Sequence, residues 1–226
     1  MINLSKRLKK IADYIPENSR IVDIGCDHAL LDIYLVQTKK TNQIIASDIN
    51  PNALKNAKKN IKKYNLEDKI KTIESKGLEN IDTSNLNTIV ISGMGSHTIV
   101  GILYSNLKKL KNIENLILQS NNDLDFLRTK ITKIGYYIED ESLIKDSNII
   151  YTILLLKKGK KHYTKKELFF GPILLKNKEK LFLEKNKKDL EKMEKFYPLI
   201  PKKRIHHRII TKWKIKNIKK ILSNSF

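Results

Sequence analysis

Residues 21–31 read IVDIGCDHALL: an apolar run reaches Asp23, turns at Gly25 and Asp27, and passes into a helical pattern. A strand that ends in a glycine turn and feeds a helix opens a doubly wound sheet, whose strand carboxyl ends hold nucleotide-like ligands. Gly25 has no Cβ, so the backbone there can turn sharply and approach a ligand closely. Asp23 and Asp27 supply carboxylates that can pair with a ligand ammonium group. The pattern D-x-G-x-D lacks the G-x-G-x-x-G of a dinucleotide pyrophosphate site.

Further apolar runs follow at QIIASD, KIKTIES, NTIVISG and ENLILQS, alternating with helical patterns, as a mostly parallel sheet covered on both faces requires. YYIEDESLI and IIYTILLLKK are separated only by KDSN, so they form a hairpin and bring an antiparallel strand to the sheet. The expected fold is α/β and Rossmann-like, with seven strands. Leu4, Leu8, Ile11 and Ile15 recur at helical spacing before Pro16, with Lys6 and Arg7 on the basic outer face.

The composition changes near residue 160, where GKKHYTKK reads as a polar linker. Residues 1–160 form the expected ligand-binding domain and residues 161–226 a coiled-coil-like helical hairpin. Pro172 suits a first helical turn, and Leu175, Phe182, Leu190, Met193 and Tyr197 fall near one stripe before the PLIP turn. Ile205, Ile209, Trp213, Ile218 and Leu222 mark a second helix, and the stripe is read as intramolecular packing.

The 226 residues carry a formal charge of +21, which makes a polyanion, best a nucleic acid, the expected partner. AT-rich codon drift toward Lys, Asn and Ile is the competing account. Cys26 is the single cysteine, which excludes an internal disulfide, and no paired Cys/His spacing suggests zinc. No metal is expected. No apolar stretch approaches the roughly 18 residues of a membrane span, and MINLSKRLKKIADYI is amphipathic and charged. A cytoplasmic monomer is expected.

Asp48 ends QIIASD, where an acid can accept from the two hydroxyls of a ribose; it can also cap the helix beginning near Asn50 and Pro51. With the turn at Gly25, it points to S-adenosyl-L-methionine as cofactor. ISGMGS, residues 91–96, ends the fourth strand, where Gly93 and Gly95 permit close approach of a substrate or simply form a glycine turn.

The chain resembles the bacterial tRNA (adenine-22-N1)-methyltransferases, the TrmK family. The likeness runs through LSKRL (4–8), DIGCDHALL (23–31), GLE (77–79), ISGMGS, LILQSN (116–121) and FGPILL (170–175) into the helical tail. It implies a class I methyltransferase fold and methylation of N1 of adenosine 22 in tRNA, yielding S-adenosylhomocysteine. The alternatives are a methyltransferase for another RNA site, or an RNA-binding protein without catalysis. The chain departs from the family pattern at Asp32 and Ser120, where proline is usual, at Ser96 for glycine, at Thr152 for glutamate, and at Lys76 for aspartate. Lysine cannot accept from an adenine amino group, which leaves backbone groups near Gly77 and Leu78 to hold that base.

Asp27 is the foremost candidate at the reacting centre, with cofactor binding as its other role. His28 can stack on or hydrogen-bond the target base, or serve at the helix start. Gln119 and Asn121 can read base edges, as amides do for adenine, or satisfy loop backbone groups. Arg7 and Lys6 are candidates for phosphate contact.

Overall fold

The computed structural model describes residues 1–41 and 43–223. Helix α1 (Lys6–Tyr14) precedes strand β1 (Ile21–Ile24), followed by α2 (Leu30–Gln37), β2 (Ile44–Asp48), α3 (Pro51–Lys63) and β3 (Ile70–Glu74). Then come β4 (Thr88–Met94), α4 (Ser96–Tyr104), β5 (Asn115–Ser120), α5 (Leu124–Lys133) and the pair β6 (Tyr136–Asp146) and β7 (Ile149–Lys158). Helices α6 (Lys165–Phe170), α7 (Pro172–Asn177), α8 (Lys180–Phe196) and α9 (Ile205–Ser223) complete the chain.

The seven strands lie in the order β3-β2-β1-β4-β5-β7-β6. The first five are parallel, and β7 runs antiparallel between β5 and β6. The KDSN turn closes β6 onto β7 through Ser147 and Asn148, both at positive φ (48° and 66°), the requirement of a two-residue hairpin turn that follows strand twist. Side chains alternate across the sheet. On β1, Ile21 joins the core with Ile11, Ile33 and Ile61, while Val22 and Ile24 join the opposite core with Leu78, Ile99 and Leu127. Strand period therefore carries Asp23, in register with Ala46 and Val90, to the α1/α2 side of the sheet centre, where it is buried.

The chain divides into two compact units, Met1–Ile173 and a second beginning at Leu174. The compositional change at 160 thus precedes the break in packing, because the polar linker contains a helix start. Thr164 and Glu167 form a capping box for α6, with the Glu167 backbone N–H donating to Thr164 Oγ1 at 3.2 Å and the Thr164 N–H to Glu167 Oε2 at 2.7 Å. Arg128, fully buried on α5, donates through Nη1 to the carbonyls of Leu168 and Phe169, both at 3.2 Å, and pairs with Glu141 of β6 at 2.8 Å. Glu141 also accepts from the Ile173 N–H at 3.0 Å. Gly171, at φ +93°, lies so close that a Cβ there would run into the Glu141 carboxylate, which accounts for the glycine of FGPILL.

The stripe from Pro172 to Tyr197 is two helices rather than one. Lys178 takes a left-handed φ of +49°, which interrupts the helical ladder between α7 and α8. Helices α8 and α9 pack on one another as a hairpin, and Phe182, Thr211, Ile218 and Ile221 are buried.

Arg128→Met removes the buried guanidinium that meets Glu141, and loss of one partner of such a pair costs about 3–5 kcal/mol. Urea unfolding of the whole chain should show that loss for Arg128→Met and a smaller one for Arg128→Met combined with Glu141→Leu.

Candidate functional site

The site forms where β1, β2 and β4 end. Gly25 (φ +79°) donates its N–H to the Ser47 carbonyl at 2.7 Å, and the Cys26 N–H joins it at 3.0 Å. A Cβ on Gly25 would run into Met94. Two cavities meet at this turn and share Gly25, Asp48 and Met94. One, of about 430 Å³, has Ile49, Gly77, Met94 and Ile102 on its walls. The other, of about 360 Å³, is bordered by Asp23, Asp27, His28, Arg7 and Gly93.

Asp48 joins three loops. Its Oδ1 accepts from the Asn50 N–H at 2.8 Å, its Oδ2 from the Asp27 N–H at 3.3 Å, and its carbonyl from the Ser75 N–H at 3.0 Å. The cap of α3 is Asn50, whose side chain accepts from the Asn52 N–H at 2.9 Å. Asp27 (φ +49°) is exposed, and its carboxylate lies 3.6 Å from His28 Nε2. Burial and the nearby Asp48 charge push Asp23 up to about 7, partly opposed by the Arg7 guanidinium. An acid so placed gains most from a cationic ligand that restores its charge.

Arg7 comes from α1. Its backbone N–H donates to Asp146 Oδ2 at 3.1 Å, its guanidinium lies 5.3 Å from the Tyr151 ring centre, and Nη1 donates to Gln119 Oε1 at 2.6 Å. Gln119 is fully buried, accepts also from the Gly93 N–H at 3.0 Å, and donates to Asn121 Oδ1 at 3.1 Å. Asn121 Nδ2 donates to the Gly93 carbonyl at 2.8 Å. The amides of Gln119 and Asn121 thus hold the Gly93 loop, and Asn121 is exposed. Gly95 begins α4 beside Asn122. Lys6 is exposed and borders neither cavity.

Leu78 follows Gly77 in the loop after β3. Its side chain is buried in the core and its carbonyl accepts from Lys109 Nζ, so it anchors the loop while Gly77 faces the cavity. The Lys109 ammonium binds three carbonyls, of Leu78, Glu79 and Ile81, at 2.6, 2.7 and 2.9 Å. Lys76 is exposed and lies 3.8 Å from Glu79. Sequence reasoning missed Lys109, Ile49 and Ile102. Ile49 could have been found from its place after Asp48, whereas Lys109 gives no local signal, since its partners are some thirty residues away.

Among the described residues no group of His, Cys, Asp and Glu is arranged to hold a metal ion, and no helix is long and apolar enough to cross a membrane.

A β3-β2-β1-β4-β5-β7-β6 sheet with a glycine turn between two acid-bearing strands defines a class I S-adenosylmethionine-dependent methyltransferase. Residues 21–220 match the family model described as TrmK, tRNA (adenine(22)-N(1))-methyltransferase, and the chain belongs to that family. It is 32% identical to the tRNA (adenine(22)-N(1))-methyltransferase of Bacillus subtilis over 88% of this chain and 86% of that one. A putative tRNA (m1A22) methyltransferase of Streptococcus pneumoniae, solved with S-adenosyl-L-methionine, is similar at a TM-score of 0.90 and 32% identity, covering 97% of this chain and all (100%) of that one. TrmK of M. capricolum, solved with S-adenosyl-homocysteine, gives a TM-score of 0.86 and 33% identity over 97% and 98% of the two chains.

Lys109→Met removes the ammonium that holds the Gly77 loop. The expected result is a rise of about tenfold in the S-adenosylmethionine Kd by calorimetry, with kcat at saturating cofactor unchanged; Lys109→Arg, whose planar fork cannot converge on three carbonyls, should rescue little.

Asp32 carries a pH signature. Neither of its carboxylate oxygens meets a hydrogen-bond partner among the described residues, and burial together with the Asp23 charge holds its acid well above the usual carboxylate range. Because its folded pKa is raised, the folded state binds the extra proton, and stability is lost as pH rises above the unfolded value of about 4. Asp32→Asn should gain stability over the native chain progressively from pH 4 to 8 in ligand-free melts; a difference that does not grow with pH would show Asp32 to be ionised in the fold.

Proposed function

We propose that the protein transfers the methyl group of S-adenosyl-L-methionine to N1 of adenosine 22 in tRNA, releasing S-adenosylhomocysteine. The observation that carries this reading is the pair of cavities meeting at Gly25, Asp48 and Met94, one with apolar walls suited to an adenine and the other bordered by Asp23, Asp27 and Arg7. The cofactor supplies an electrophilic methyl on a sulfonium.

Asp48 accepts from the ribose hydroxyls, and Asp23 pairs with the ammonium of the methionine part. Ile49 and Ile102 pack against the adenine, and the backbone at Gly77 replaces the acceptor that Lys76 lacks. Gly93 and Gly95 line the approach of the target base. Arg7 anchors that rim through Gln119, with Asn121 bracing the loop.

The adenine N1 carries a free lone pair at neutral pH, so no general base is needed. One N–C bond forms as one S–C bond breaks, and positive charge passes from sulfur to the base. Positioning supplies most of the rate, and the exposed Asp27 carboxylate, oriented with His28, stabilises the developing charge. Because N1 lies on the pairing edge, the base must leave any pair or stack to reach the pocket.

The chain's net charge of +21, with no acidic residue after Glu194, suits it to tRNA, whose phosphates the helical tail and Lys6 contact. It acts as a monomer in the cytoplasm.

Unmodified tRNA incubated with labelled cofactor and digested to nucleosides should carry label in N1-methyladenosine, and tRNA with guanosine at position 22 should carry none. Label in another nucleoside would overturn the assignment. Asp27→Asn, which keeps a residue tolerant of the left-handed backbone, should lower kcat by about 10²-fold with cofactor Kd unchanged.

A further inference from the structure

An aromatic pair stands on the rim of the site, outside both cavities. His97, in the first turn of α4, stacks on Phe126 of α5 with ring centres 4.2 Å apart and planes inclined by 26°. Lys130, one turn further along α5, holds its ammonium 5.5 Å from the Phe126 ring centre. Phe126 packs against the core and so is fixed, whereas His97 is exposed. The place of the pair is set by its neighbours. The Ser96 N–H, one residue before His97, donates to Asn122 Oδ1 at 3.0 Å, which locks the start of α4 to the loop after β5. Thr98, one residue after, lines the 430 Å³ cavity. The first turn of α4 thus presents the cavity wall on one side and a stacked ring on the other.

We propose that His97, Phe126 and Lys130 form a binding platform for an unpaired nucleotide flanking the target adenosine, the base stacking on His97 and its phosphate meeting Lys130. The inference rests on the tRNA-methyltransferase reading of the site. An exposed ring already ordered by a partner loses little conformational freedom on binding, and any base offers a π-face to it. A ligand held only by charge would need no ring, and an apolar protein partner would not favour a ring pair flanked by the Lys130 ammonium. A base extruded from its stack leaves its neighbour without a stacking partner, which is the vacancy His97 fills.

The test uses the full chain and an unmodified tRNA transcript. Stacking on one aromatic contributes about 1–3 kcal/mol per base, so His97→Ala should raise the KM for tRNA roughly tenfold, with kcat at saturating tRNA and the cofactor Kd unchanged. His97→Phe, which keeps the ring and loses the nitrogens, should restore KM to within about threefold. Lys130→Ala should reduce the salt slope of tRNA binding by about one unit, while His97→Ala leaves that slope alone. An unchanged KM in His97→Ala, even with a lowered melting temperature, would reduce the pair to a staple between α4 and α5. Rescue by His97→Lys and not by His97→Phe would replace stacking with a phosphate contact, and a fall in kcat alone would put the ring against the target base; either overturns the proposal. If the native chain methylates no tRNA, the functional reading itself fails, a result distinct from all of these.

Discussion

The Ser47 carbonyl accepts two N–H groups, from Gly25 and Cys26, and on that pair of bonds the geometry of the site depends. It fixes the exit of β1 against the end of β2, and only a residue free of Cβ can take the positive φ needed with Met94 lying alongside. The turn then carries Asp27 into reach of Asp48, whose carboxylate ties the β1 exit to the start of α3. Two acids, Asp23 of β1 and Asp48 of β2, consequently meet near the ends of parallel strands, with Asp32 of α2 beside Asp23. Burial first, and then the neighbouring carboxylate charge, raises Asp23 and Asp32, and a cation beside Asp23 would favour its ionised form.

Lysine performs two kinds of work in this chain. Lys109 gathers three carbonyls of the Gly77 loop, and Lys40 does the same at the end of α1, donating to Ala12, Asp13 and Ile15 at 2.8, 3.3 and 3.1 Å. Lys158 donates to the carbonyls of Leu110 and Lys111. An ammonium with three donors suits the unpaired carbonyls of a helix end or loop. The charge of +21 therefore includes cations that close the fold and is not all available to a partner.

The strands and their hairpin were legible because sheet period and turn residues are local properties, and so was the cluster at Asp23, Gly25 and Asp48, since strand ends carry it. What was not legible depends on distant contacts. The helix start at Thr164 hides in a polar run, and α6 is tied to the first unit by distant partners, among them Arg128, which binds its carbonyls. Gln119 could be read from its position as a base reader or a loop brace, and its bonds to Arg7, Gly93 and Asn121 come from three separate elements that no local pattern connects. The break at Lys178 falls within a continuous stripe, where hydrophobic period cannot reveal a single residue of left-handed backbone.

The serines at 96 and 120 have one physical role. Ser96 and Ser120 both act on Asn122. Ser96 donates from its N–H and Oγ to Asn122 Oδ1 at 3.0 and 3.3 Å, and Ser120 Oγ donates to the Asn122 carbonyl at 2.9 Å. A proline at 120 would restrict the loop covalently through φ; here a hydrogen-bonded turn restrains it, and the second serine grips the same asparagine from α4. Residues sharing one partner are energetically coupled, so the two serines form a single alternative means of holding the loop between β5 and α5. Asp32 and Thr152 are different, because the Asp32 oxygens and the Thr152 hydroxyl are buried without partners among the described residues. Both oppose folding on hydrogen-bonding grounds, and at Asp32 burial and then the Asp23 charge add to that cost by disfavouring its ionised form.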